Sequence, residues 1–171
     1  VLLAPGVTNR RPPMDKEWHE EALTRALIRY CPICVGYEVT DRKVGVIGSG
    51  SNGVSEAVFL RGYTADAPLT PPGRAHDLDG EDQAKLREYG IECVDGPCQA
   101  VAAVGQCMVV DTAEGHHTFD CVYPALGSDT HTELADQVGA KLTKDTDCIL
   151  VDSHQPTSVP GFYVVAELAQ D

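Results

Sequence analysis

The sequence predicts an α/β fold, and three observations carry that prediction. A β-branched run ending at Gly48 passes through a glycine-rich turn into a stretch with an apolar helical face. A second helical stretch, from Asp79 to Tyr89, delivers the chain into the apolar run Ile91 to Val94. Elsewhere, apolar runs short enough for strands alternate with helical patterns, as expected where helices cover a largely parallel sheet. With 171 residues and 43% hydrophobic content, the chain can bury the core of one domain, or of one domain plus pieces of another.

In chain order, "VLLAPG" reads as a strand entering a glycine turn, and "NRRPP" as a loop, because its prolines donate no backbone hydrogen bond. Asp15 opens a helix through about Leu27, with acidic residues near its start where the helix dipole favours them. "KVGVIGSG" is a buried strand, and Val54, Ala57, Val58 and Phe59 form the inward face of the helix that follows. "ADAPLT" is a weak second strand, further weakened by Pro68. The next helix takes Asp79 as N-cap and stops at Gly90, leading into the strand "IECV". "QCMVVDT" and "TFDCVYPALG" read as a hairpin joined by "AEGHH", with His116 and His117 in its turn. A short helix, Thr132 to Val138, and the strands "CILVD" and "FYVVAEL" close the chain.

Composition narrows the function. Thirteen Lys and Arg stand against 26 Asp and Glu, a net charge of -13, which repels nucleic acid and anionic membrane surfaces. No apolar run approaches the roughly 20 residues that a membrane span needs. Seven scattered cysteines are an odd number, unlike a secreted disulfide framework, and fit a reducing cytoplasm.

Two motifs carry chemistry. Gly48, Ser49, Gly50, Ser51, Asn52 and Gly53 lie after a strand and open a helix, the context in which a Rossmann-like turn binds dinucleotide phosphates. Here Gly48 permits the tight turn, Gly50 lets backbone approach a pyrophosphate, and Gly53 allows close helix–strand packing. At the end of the second strand no acid is available for a ribose, and Arg74 is the nearest base. The second motif is Cys31-Pro32-Ile33-Cys34, a pair suited to a reversible disulfide at a helix start. Two alternatives stand beside it: buried inert thiols, or half of a zinc site completed by Cys93 and Cys98.

Together, "CPICVGYEVTDRKVGVIGSGSNGVSEAVFLRGYTAD", "VLLAPGVTNRRPP" and "HQPTSVPGFYVVAEL" resemble the low-molecular-weight thioredoxin reductases and related FAD-dependent pyridine nucleotide-disulfide oxidoreductases. The resemblance implies a three-layer β/β/α FAD/NAD(P)-binding fold, in which an NAD(P) domain at 15–126 is inserted into FAD-domain pieces at 1–14 and 127–171. It implies that electrons pass from NAD(P)H through FAD to Cys31 and Cys34, and on to a thioredoxin-like protein or a small-molecule disulfide. Cys31 would attack the partner and Cys34 would face the flavin. The turn from Gly48 to Gly53 would hold the nucleotide pyrophosphate, and Gly6, Gly127 and Glu167 would lie at the flavin. No resident metal is expected, and the complete protein would be a homodimer.

The chain also departs from that pattern. Val35 stands where the resemblance places an acid that protonates the departing thiolate, leaving Glu38 as the nearest carboxyl group in sequence. Ala166 and Glu167 replace a flavin-binding Gly-Asp pair, and both ends cut through expected flavin-domain elements. The chain is therefore expected to be part of a larger flavoenzyme. The alternative is a non-catalytic nucleotide-binding or interaction module.

Overall fold

The structure, a computed structural model, describes residues 1–143, 148–165 and 169–170. In order, the chain forms β1 (Leu2–Leu3), β2 (Val7–Asn9), α1 (Lys16–Thr24), α2 (Pro32–Val35), a 3-10 turn (Gly36–Val39), β3 (Val44–Gly48), α3 (Gly50–Leu60), β4 (Leu69–Thr70) and α4 (Gly80–Tyr89). Next come β5 (Ala100–Val104), β6 (Cys107–Thr112), β7 (Gly115–Phe119), β8 (Cys121–Ala125), β9 (Ser128–Thr130), α5 (Glu133–Gln137), β10 (Ile149–Leu150), β11 (Tyr163–Val164) and β12 (Ala169–Gln170). They divide into two compact units, Arg10–Gly127 and Val1–Asn9 with Ser128–Asp171.

The larger unit is built on a parallel sheet in the order β4-β3-β8. Successive side chains of β3 point to opposite faces. Val44 and Val46 join Val54, Ala57 and Leu60 of α3 and Leu86 of α4 in one core. Ile47 joins Met108, Val110 and Phe119 of the antiparallel sheet β5-β6-β7 in another. Meander, parallel sheet and helices thus form three layers, β/β/α. Gly45 lets the meander approach, since a Cβ there would lie 2.7 Å from the Phe119 ring. Burying side chains such as Val44, Ile47 and Leu60 contributes about 1.5–3 kcal/mol each.

Several elements differ from the sequence reading. α1 ends at Thr24, not near Leu27, because Ala26 takes a left-handed backbone (φ 55). Leu27 and Ile28 are thereby released to the sheet edge, where Ile28 pairs in parallel with Val122. On α3 the inward residue is Leu60, while Phe59 is 39% exposed. The second strand is only Leu69–Thr70, and "IECV" contributes a single parallel bridge, Leu69 to Cys93, with no strand of its own.

The expected hairpin is re-paired. β6 pairs with Gly115–Phe119, from Thr112 opposite Gly115 to Met108 opposite Phe119, so His116 and His117 lie on a strand and not in the turn. Cys121–Ala125 leaves that meander for the parallel sheet, pairing with β3 from Val44 opposite Cys121 to Gly48 opposite Ala125. Its first four residues are all buried, as a strand covered on both faces requires. α4 follows expectation closely: the Asp79 carboxylate accepts from the Glu81 and Asp82 amides, and Gly90 closes the helix with φ 60.

In the smaller unit β1 pairs in parallel with β11, and β2 runs antiparallel to β9 with Val7 opposite Thr130. β10 and β12 form a further parallel pair. Its core gathers Ala135, Ala140, Ile149, Val151 and Val164. Among the described residues, no helix is long and apolar enough to cross a membrane.

Candidate functional site: a disulfide turn beside a glycine turn

Cys31 and Cys34 are joined by a disulfide, with their Cα atoms 5.3 Å apart. Cys31 caps α2 in an extended conformation, and Pro32 occupies the first turn, where its missing N–H costs nothing. The Cys34 amide donates to Cys31 Sγ at 3.2 Å. Ile33, between the cysteines, is 78% exposed, and Tyr37 just beyond them is 66% exposed.

Three of the other cysteines are held as thiols. Burial pushes the Cys98 and Cys121 thiols up to about 11, and raises Cys93 as well. Cys93 and Cys98 sit on the sheet edge, bridged to Leu69 and Pro72. With Cys31 and Cys34 bonded to each other, they complete no zinc site. No group of three or more His, Cys, Asp or Glu suited to a metal ion occurs among the described residues.

The glycine turn divides its work differently from the sequence expectation. The left-handed residue is Gly50 (φ 60), while Gly48 is not among the positive-φ glycines. Gly48 and Gly53 instead pack on each other: a Cβ on Gly53 would lie 2.8 Å from the Gly48 carbonyl carbon, and one on Gly48 would lie 2.9 Å from Gly53 Cα. At Gly50 a Cβ would meet only the Asp77 carbonyl oxygen, at 3.7 Å, so the backbone there is open. Ser49 caps α3 by backbone alone, and its Oγ accepts from the Asp77 amide at 3.0 Å. Arg74 is exposed, and its Nη2 lies 3.9 Å from Asp77 Oδ2. An open left-handed glycine at a helix N-terminus fits a nucleotide pyrophosphate, because amides can meet it at close range.

A cleft of about 380 Å³ is lined by Pro32 and Ile33 from between the cysteines, by Asn52, Ser55, Glu56 and Phe59 of α3, and by Ala125 and Gly127 at and just beyond the end of β8. Cys31, Cys34, the turn Gly48 to Gly53 and Gly127 (φ 76) all belong to the larger unit, and of these Asn52 and Gly127 line the cleft themselves. Ser51 and Asn52 form the exposed first turn of α3. Gly6 (φ 68) belongs to the smaller unit, with no atom within 4 Å of where its Cβ would be. Glu167 lies outside the described residues.

Two carboxyl groups of the larger unit differ in state. Glu38 Oε2 lies 2.7 Å from Arg29 Nη1, and that hydrogen bond holds the carboxyl below its ordinary range. Glu56 has no such partner: its Oε1 is buried without a hydrogen bond, and burial pushes the group up to about 7. The sequence reading passed over Glu56. The available signal was position, because Glu56 stands three residues after Gly53 and four before Leu60, on the face that α3 turns inward.

Comparison with known proteins gives a consistent answer. The family model described as pyridine nucleotide-disulphide oxidoreductase matches residues 1–171. The thioredoxin reductase of Mycoplasma genitalium is 24% identical over 176 residues, which cover 98% of this chain and 54% of that protein. The crystal structure of HlmI superposes with a TM-score of 0.81 at 24% identity, covering 98% of this chain and 51% of the other. Thioredoxin reductase from Streptococcus pyogenes superposes at 0.78 with 21% identity, covering 99% and 57%. The chain thus spans about half the length of the curated thioredoxin reductase it matches.

Proposed function

The chain belongs to the pyridine nucleotide-disulphide oxidoreductase family, and from that premise we propose that it carries the nucleotide-binding and disulfide-bearing part of a thioredoxin reductase-like enzyme. Electrons would pass from NAD(P)H through FAD to the Cys31–Cys34 pair, and from there to a thioredoxin-like protein or a small-molecule disulfide. The observation that carries this reading is the disulfide of Cys31 and Cys34, whose two enclosed residues, Pro32 and Ile33, line the same cleft as Asn52 in the first turn of α3. The unit Arg10–Gly127 would be the nucleotide domain and the smaller unit part of the flavin domain. The complete protein would be a cytoplasmic homodimer.

The residues divide the work as follows. Gly50 and the first amides of α3 would hold the pyrophosphate, with Ser49 tying the Asp77 loop beside it. The flavin, when bound, supplies a two-electron relay between nicotinamide and disulfide. After reduction, the Cys34 amide that now donates to Cys31 Sγ would stabilise a thiolate on Cys31, the form that attacks a disulfide. Exposed Ile33 and Tyr37 leave that sulfur approachable by a protein partner.

The test uses the full-length flavoprotein. NADPH or NADH should bleach its flavin and then reduce a protein disulfide, and Cys34→Ser should abolish the second step while leaving the first. Disulfide reduction that survives Cys34→Ser would reject the assignment.

A further inference from the structure

Disulfide exchange at Cys31 and Cys34 needs a proton twice. A proton must reach the thiolate that leaves the partner, and another must leave the second cysteine thiol as its sulfur attacks. Val35 offers no acid beside Cys34. Glu38, close in sequence, is engaged by Arg29 at 2.7 Å and held as a carboxylate. Glu56 is the one ionisable side chain among those lining the cleft that Pro32 and Ile33 share with α3.

We infer that Glu56 is the proton-transfer group of this cleft, serving both exchange half-reactions. The inference rests on the proposed disulfide chemistry and adds the identity of its acid and base. Three features support it. Glu56 lines the same cleft, of about 380 Å³, as Pro32 and Ile33, the two residues enclosed by the disulfide. Its Oε1 is buried and makes no hydrogen bond to another protein group, so no protein donor holds that oxygen in its charged form. Burial alone places its titration at about 7, where one group can both give and take a proton at neutral pH. The ionisable groups on elements packed against α3 do not set that value. Lys85, Glu88 and Tyr89 of α4 line a separate cleft with Ser55, Cys121 and Tyr123 belong to β8, and no charged neighbour contributes to the shift.

The exchange balances as follows. The Cys31 thiolate attacks one sulfur of the partner disulfide, that bond breaks, and the departing partner thiolate takes the proton of the Glu56 carboxyl. The Cys34 thiol then gives its proton to the Glu56 carboxylate while its sulfur attacks Cys31 Sγ. The mixed disulfide breaks and releases the second partner sulfur as a thiolate, which takes up the proton that Cys31 lost to solvent on becoming a thiolate. The cysteine pair is oxidised by two electrons, the partner disulfide is reduced by two, and Glu56 returns to its protonated state.

The test uses the full chain, reduced with dithiothreitol and desalted, in rapid mixing with two oxidants. The aromatic disulfide 5,5′-dithiobis(2-nitrobenzoate) releases a stable thiolate that needs no proton, whereas hydroxyethyl disulfide releases an alkyl thiolate that does. Glu56→Gln should slow the first exchange step with hydroxyethyl disulfide by about 10-fold to 100-fold. It should leave release of the aromatic thiolate unchanged, and Glu56→Asp should recover part of the lost rate. Equal slowing with both oxidants would mean a structural role, and no slowing with either would mean that Glu56 is a bystander; each overturns the inference alone. A wild-type dithiol that exchanges with neither oxidant would overturn the disulfide chemistry itself.

Discussion

Arg29 Nη1 and Glu38 Oε2 lie 2.7 Å apart, and only 10% of the arginine side chain is exposed. This pairing removes Glu38 from the set of available proton donors. Because Glu38 is held below its ordinary range, its stabilising effect is complete above the unfolded value of 4.5 and is lost as pH falls through the lower folded value. Glu38→Gln should therefore lower stability at pH 7, with the difference shrinking toward pH 3, in urea titrations at both values. It should leave the rate of disulfide exchange at pH 7 unchanged.

The glycine turn separates packing from conformation. Gly53→Ala brings a Cβ to 2.8 Å from the Gly48 carbonyl carbon, so α3 must move off β3. Overpacking of that kind costs about 1–3 kcal/mol, readable as a lower midpoint in denaturant. Gly50→Ala meets no atom nearer than 3.7 Å but must hold φ 60, at a cost of about 1–2 kcal/mol. Its Cβ stands where the pyrophosphate would approach. Calorimetry should therefore show NADPH binding lost in folded Gly50→Ala, whereas folded Gly53→Ala retains it.

Val35 is half-buried at the end of α2, one residue after Cys34. A carboxyl group there would supply a proton to a leaving thiolate from the turn itself. Val35→Asp introduced into the Glu56→Gln variant should restore exchange with hydroxyethyl disulfide by about 10-fold to 100-fold. No gain in the double variant, measured by rapid mixing, would show that position 35 does not reach the departing sulfur.

Glu56 also has a signature in stability. Its folded value is raised to about 7 from 4.5, so the folded state binds more protons than the unfolded state across that interval, and stability falls as pH rises through it. The full cost, about 3 kcal/mol for a shift of this size, is present above pH 7. Glu56→Gln removes the charge, so the variant should gain on the wild type between pH 5 and pH 8 in parallel denaturant titrations. A constant difference across that range would mean that Glu56 titrates normally.

Local patterns along the chain were sufficient for much of the fold. The β-branched run to Gly48, the glycine turn that follows, the Asp79 cap and the Gly90 stop are set by residues a few positions apart, and each stands where the sequence places it. So does the cysteine pair, because Cys-x-x-Cys with proline at a helix start brings two sulfurs together without distant help.

Choices between distant partners needed the tertiary structure. Nothing local tells Cys121–Ala125 to leave the meander for β3; that pairing arises because a strand apolar on both faces gains most with helices on one side and a second sheet on the other. Ending α1 early likewise makes sense only once Ile28 has Val122 to pair with. The contrast between the two carboxyl groups has the same origin. Glu38 and Glu56 are alike in sequence, and folding gives one a guanidinium at 2.7 Å and the other a buried oxygen with no partner, so charge neighbours and burial, both products of long-range packing, set their chemistry.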